Sequence, residues 1–139
     1  MTVTPNWLLA VAAASLVLSL TLAWIASFLV YTKTAWLGRI FVAPFQLVRA
    51  HIDYLLMSLL LVMVFYLEER LALALPPAVI VLLCIGSLYN PFGFIALAIR
   101  PELGRPETRA AQIRILLGFT PATLGYGYAM LAVLAKLAG

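Results

Sequence analysis

Polar positions along this chain come in short bursts between long apolar runs. Four runs stand out, at about 7–31, 47–67, 71–99 and 112–136. Each is at least as long as the roughly 20 residues a helix needs to cross a hydrocarbon core. In lipid the backbone must also satisfy its own hydrogen bonds, which a helix does within one segment. The pattern predicts an all-α fold, a transmembrane bundle of four helices forming one domain over residues 1–139. The first run has no Lys or Arg ahead of it and is too long for a signal-peptide core, so it is expected to remain as a span. Only Glu68, Glu69 and Arg70 separate the second and third runs, which predicts a tight antiparallel hairpin with its link at 68–70.

Within the spans, small residues recur at helical spacing. Gly118, Ala122, Gly125 and Ala129 stripe the fourth, and Ser15, Ser19, Ala23 and Ser27 stripe the first at steps of four. Such seams let backbones approach closely in lipid, either within a bundle or between subunits. Pro91 and Pro121 fall inside the third and fourth spans, where they free the carbonyls of Ser87 and Leu117. No internal repeat is visible, which disfavours a transporter built from repeats.

Composition sharpens this picture. The chain is 65% apolar and 10% charged, against roughly 45–50% and about 25% in soluble domains. Its net charge of +4 comes without a basic run, so nucleic acid is not an expected partner. Seven of the nine basic residues, Lys33, Arg39, Arg49, Arg100, Arg105, Arg109 and Arg114, fall on one side of the predicted topology. The positive-inside rule makes that side cytoplasmic and puts both termini outside. Cys84 is the only cysteine, which excludes an intrachain disulfide and reads as a small buried hydrophobe. Trp24, Tyr31, Trp36, Phe41 and Phe45 read as interfacial or lipid-facing aromatics.

The polar groups inside the spans carry the chemistry, because each is costly there. His51, Asp53, Tyr54 and Ser58 enter the second helix, Ser87, Tyr89 and Asn90 come to similar depth from the third, and Thr120 and Thr123 from the fourth. His51 is the only histidine. It suits a metal or haem ligand, a general base or a satisfied structural residue. Zinc needs three or four protein ligands, which one histidine without a thiolate does not supply, whereas haem needs one axial ligand and an apolar slot. Arg49, Arg39 and Arg100 are candidate propionate partners beside their role as topology anchors. Asp53 lies about 200° around the helix from His51, so it does not orient the imidazole; it is expected to pair between helices with a basic residue or a backbone donor, with proton handling as the alternative. No Ser–His–Asp set, phosphate loop or paired-carboxylate site is present in the pattern.

Taken in order, "RAH" at the start of the second helix, "YNPFGF" and "RPELGR" around the end of the third, and "LGFTPATLGYGYAMLAV" in the fourth resemble the styrene oxide isomerase family. The likeness covers roughly residues 49–133. It implies a small four-helix membrane enzyme of a bacterial inner membrane, forming a homotrimer with haem b between subunits. It also implies His51 as the axial ligand, Arg49 beside the cofactor, and Lewis-acid conversion of a hydrophobic epoxide to an aldehyde. The family has an asparagine six residues after its histidine, where this chain has Met57. It has a tyrosine four residues after the asparagine that matches Asn90, where this chain has Phe94. Tyr54, Tyr89, Asn90 and Tyr126 are the candidate replacements for orienting substrate. Met57 also opens an alternative, a six-coordinate haem protein for electron transfer or sensing, since a thioether ligates haem iron. A cofactor-free structural subunit or small transporter is the third.

Overall fold

The computed structural model describes residues 2–104 and 109–139. Among the described residues it holds helices and no strand: α1 Asn6–Tyr31, α2 Ala35–Ile40, α3 Pro44–Leu71, α4 Pro77–Ile99 and α5 Arg109–Ala138, with a 3-10 turn at Pro101–Gly104. The four helices α1, α3, α4 and α5 are each long and apolar enough to cross a membrane.

Prolines set two of the helix starts. Pro44 and Pro77 open α3 and α4, where a missing N–H costs nothing and the fixed φ suits the first turn. The expected link at 68–70 is instead the last turn of α3, and the chain reverses over residues 72–76. Glu68 explains the shift. The residue is 8% exposed, and its carboxylate accepts the Leu75 N–H at 3.2 and 3.4 Å, capping the turn from inside the helix. Ala72 and Ala74 take left-handed φ values of 47° and 53°, and the residue before a proline resists helical geometry, so α4 begins only at Pro77.

The segment at 32–48 holds the short helix α2, which the hydrophobic pattern did not predict. α1 ends where Thr32 donates both its N–H and its hydroxyl to the Phe28 carbonyl. Leu37 buries α2 against the bundle, while Trp36, Lys33 and Arg39 stay exposed. The Ala43 N–H donates to the Ala98 carbonyl at 3.1 Å, tying the start of α3 to the end of α4. Trp24, Tyr31 and Phe45 face outward as expected. Phe41 does not, and packs half-buried against the core.

α1 packs on α3, α3 on α4 and α4 on α5; α1 also meets α4, while α5 scarcely touches α3. The glycine seam of α5 therefore faces α4 inside the bundle. A Cβ on Gly86 would lie 2.5 Å from the Ala122 nitrogen, and one on Gly125 would lie 2.9 Å from the Leu83 nitrogen. On α1 the buried seam is Leu8, Ala12, Ser15, Ser19, Leu22 and Ala26. It corrects the expected steps of four, because at 3.6 residues per turn such a stripe drifts about 40° per step and leaves the interface. Ala23 and Ser27 accordingly fall to its margin.

The core has two parts. One gathers Leu8, Leu61, Val64, Ile80, Leu83 and Ala129, with all four long helices contributing. The other gathers Leu22, Ala26, Leu47, Ala50, Tyr54 and Ala98, from α1, α3 and α4 alone. The second lies at the end where the basic residues collect.

Candidate functional site

Two polar sites lie at this basic end, on opposite sides of α3. The first joins α3 to α1. His51 Nδ1 lies 3.0 Å from the Ser19 carbonyl oxygen and 2.8 Å from Ser19 Oγ. The Ser19 hydroxyl donates to the His51 carbonyl at 2.9 Å. A carbonyl only accepts, so Nδ1 carries a proton, and Nε2 is the nitrogen not used in this contact. No described residue bonds Nε2, and the ring is half-buried. Its orientation is thus fixed through one nitrogen while the other is left as a base or ligand. Just deeper in the same interface, the Ser58 hydroxyl donates to the Ala12 carbonyl at 2.8 Å.

The second site lies on the α4 side of α3. Asn90 Nδ2 donates to Asp53 Oδ2 at 3.1 Å, so Asp53 does pair between helices, but its donor is a side-chain amide and not the basic residue or backbone N–H expected. Because that bond turns the NH2 toward Asp53, Asn90 Oδ1 faces α5, where it lies 3.6 Å from the position of a Cβ on Gly118. Beyond this point α4 and α5 separate around an apolar cavity of about 270 Å3. Tyr89, Asn90, Phe94, Arg114 and Gly118 are among its walls. Arg114 is half-buried and donates from Nη2 to the Leu103 carbonyl at 2.7 Å, which fastens the 3-10 turn to α5. A second concavity, more open, is lined by Tyr54, Ile85, Leu88, Tyr89 and Phe92.

The remaining candidates take different places. Tyr54 is buried, and its hydroxyl donates to the Leu88 carbonyl at 3.0 Å, one residue beyond the carbonyl expected to be freed by Pro91. Tyr126 is tied to Ser87 at 2.8 Å. Thr120 and Thr123 are exposed and lie outside this grouping. Met57 is half-buried on α3 without a polar contact. Arg49 is exposed, and its guanidinium lies 5.4 Å from the Phe45 ring centroid and 5.9 Å from that of Phe94. Phe94 therefore supports a cation by its π face where a tyrosine would add a hydroxyl. Arg49 and His51 lie on different faces of α3.

Ser19 and Arg114 escaped the sequence reading as site residues. Ser19 was visible only as one small residue in a seam, since an acceptor role for its backbone carbonyl leaves no trace in residue type. Arg114 was read as part of a basic loop, although it is the one basic residue inside the fourth apolar run before Lys136. Arg105 lies outside the described residues.

Fold and site together define a class: an all-helical membrane protein built as a four-helix bundle, with a hydrogen-bonded histidine between two of its spans. No protein-family model matches the chain, no curated protein is similar to it, and no solved structure matches it.

Proposed function

We propose that the chain is a haem b-binding membrane protein of the styrene oxide isomerase type, a homotrimer in a bacterial inner membrane that isomerises a hydrophobic epoxide to an aldehyde. The observation that carries this reading is the bond from His51 Nδ1–H to the Ser19 carbonyl. Metal-bound histidines regularly engage their other ring nitrogen in this way, which fixes the tautomer and raises the basicity of the ligating nitrogen. The donor set fits haem. No three His, Cys, Asp or Glu side chains come together among the described residues, as a protein-only zinc site requires, whereas haem asks for one imidazole in apolar surroundings.

When bound, ferric haem supplies a Lewis acid for the epoxide oxygen, and the rearrangement to an aldehyde needs no net redox change. The chain's own task is to hold and orient. His51 presents Nε2 from a ring locked by Ser19. Arg49, with no carboxylate among the described residues to pair with, is free to meet a propionate. Met57 and Phe94 leave two family positions without a hydrogen-bonding group. Polar orientation of substrate then falls to Tyr89 and Asn90, because the hydroxyls of Tyr54 and Tyr126 are already engaged. Tyr89 and Asn90 lie across α3 from His51 of the same protomer, so in this reading a neighbouring subunit brings them to the cofactor.

The visible spectrum of the detergent-purified protein, with a pyridine haemochrome assay, tests the proposal. Haem b with a high-spin ferric spectrum is expected, lost in His51→Ala and kept in Met57→Leu. Full haem retention by His51→Ala, or a colourless protein that takes up no haem, overturns it. A low-spin spectrum that becomes high-spin in Met57→Leu favours the electron-transfer or sensing alternative. That alternative needs two subunits, since Met57 stands about 120° around α3 from His51 and one chain does not place both on opposite sides of an iron.

A further inference from the structure

The cavity between α4, the 3-10 turn and α5 holds a charge that no described carboxylate matches. Arg114 stands five residues into α5, about 7.5 Å along the helix. Of the five N–H donors that a guanidinium carries, one is donated to the neutral Leu103 carbonyl. No carboxylate among the described residues pairs with it. A half-buried cation beside an apolar space is costly unless an anion or water reaches it. The cavity itself is small and its walls are dominated by Phe94, Leu97, Ile115 and Phe119, with Asn90 and Tyr89 as the polar side chains at its inner end. Its volume of about 270 Å3 admits a small organic molecule.

We infer that this cavity is a binding site for a small amphiphilic carboxylate, its head group on the Arg114 guanidinium and its apolar body between α4 and α5, directed toward Gly118. A planar guanidinium pairs best with a planar carboxylate, through two parallel N–H···O bonds. The site is complete within one protomer, and His51 does not line it, so the inference stands apart from the haem reading. A carboxylate there occupies the space beside Tyr89 and Asn90, and so competes with any apolar substrate those two residues orient.

The test is equilibrium dialysis of radiolabelled octanoate against the full-length protein in phosphatidylcholine nanodiscs, with empty nanodiscs subtracted. Saturable binding is expected, with octan-1-ol bound at least tenfold more weakly. Arg114→Gln should weaken octanoate about tenfold and leave octan-1-ol unchanged, and Arg114→Lys should retain most of the octanoate affinity. Gly93→Leu should weaken binding of both, because Gly93 lines the cavity and a Cβ there meets nothing within 4 Å. Unchanged octanoate binding in Arg114→Gln or in Gly93→Leu overturns the site, as does the absence of saturable binding in the unmodified chain. Displacement of octanoate by phosphatidylglycerol in the nanodisc overturns the carboxylate assignment in favour of a lipid phosphate. His51→Ala should bind octanoate normally, which separates failure of this site from failure of the haem reading.

Discussion

At one end of the bundle all four long helices meet in an aliphatic core around Leu61, Ile80 and Ala129, whereas at the basic end the core of described residues draws on α1, α3 and α4. The same helix pair, α4 and α5, shows the difference along its length. At Leu83–Gly125 and Gly86–Ala122 the backbones are so close that a Cβ on either glycine has no room. At Asn90–Gly118 the spacing is ordinary, and beyond it a cavity opens. Close approach in lipid rests on van der Waals packing between small residues. Where Phe94, Ile115 and Phe119 enter the facing surfaces, the helices leave a cavity between them. The Asp53–Asn90 pair, Arg114 and the His51–Ser19 pair all lie at the basic end.

The largest expected effect comes from placing the same substitution at both ends. Gly86→Leu puts a side chain into the Ala122 backbone and should destabilise the bundle by about 3 kcal/mol or more. Gly93→Leu, at the open end, should leave the denaturation midpoint within experimental scatter or raise it slightly, since it also removes a helix-interior glycine. Unfolding monitored by circular dichroism in mixed micelles checks the pair. Equal losses in both variants would break the contrast between a closed and an open end.

A smaller effect is expected at the polar pair. Asn90→Leu deprives Asp53 of its amide donor and should cost about 1–3 kcal/mol, while Asn90→Gln should recover part of the loss. The same unfolding assay reads both variants, and no loss in Asn90→Leu would mean that the pair contributes nothing to the fold. Tyr54→Phe, which removes the hydroxyl donated to the Leu88 carbonyl, should cost about 1 kcal/mol. Smallest is Ser19→Ala. The Ser19 carbonyl that accepts from His51 is backbone and survives the change, so stability should fall by only about 0.6 kcal/mol. Haem affinity, if the proposed cofactor binds, should change by only a few-fold. A collapse of haem binding in Ser19→Ala would assign the orientation of His51 to the hydroxyl and not to the carbonyl.

Much of the fold was legible before any coordinates. The four spans, their order and the outward aromatics follow from apolar run length and from the cost of burying unpaired backbone in lipid. The pairing of Asp53 with another helix followed from the cost of an unpaired carboxyl group in a span, although its amide partner did not. The errors share a cause, which is that local pattern does not report what a side chain reaches across a gap. Glu68 looked like a loop residue because charged residues leave spans, yet it is buried by a single bond to Leu75 N–H. Helix α2 was hidden in a segment too short for periodicity to show. The candidate site was legible as a list of polar residues at one depth and not as an arrangement: Tyr54 and Tyr126 are engaged elsewhere, Thr120 and Thr123 face out, and His51 is held by a serine from α1.

Residue type and run length by themselves determined that this chain makes four membrane-length helices with its polar chemistry gathered toward one end, because every unpaired polar group in a span carries a free-energy cost that composition reveals. Only the tertiary structure decided that the glycine seam of α5 meets α4 inside the bundle, that His51 and Asn90 face opposite sides of α3, and that α4 and α5 part to leave a cavity beside Arg114. Those outcomes depend on which helix lies against which face, and the 3.6-residue period fixes the faces of a helix without naming the neighbour each one meets.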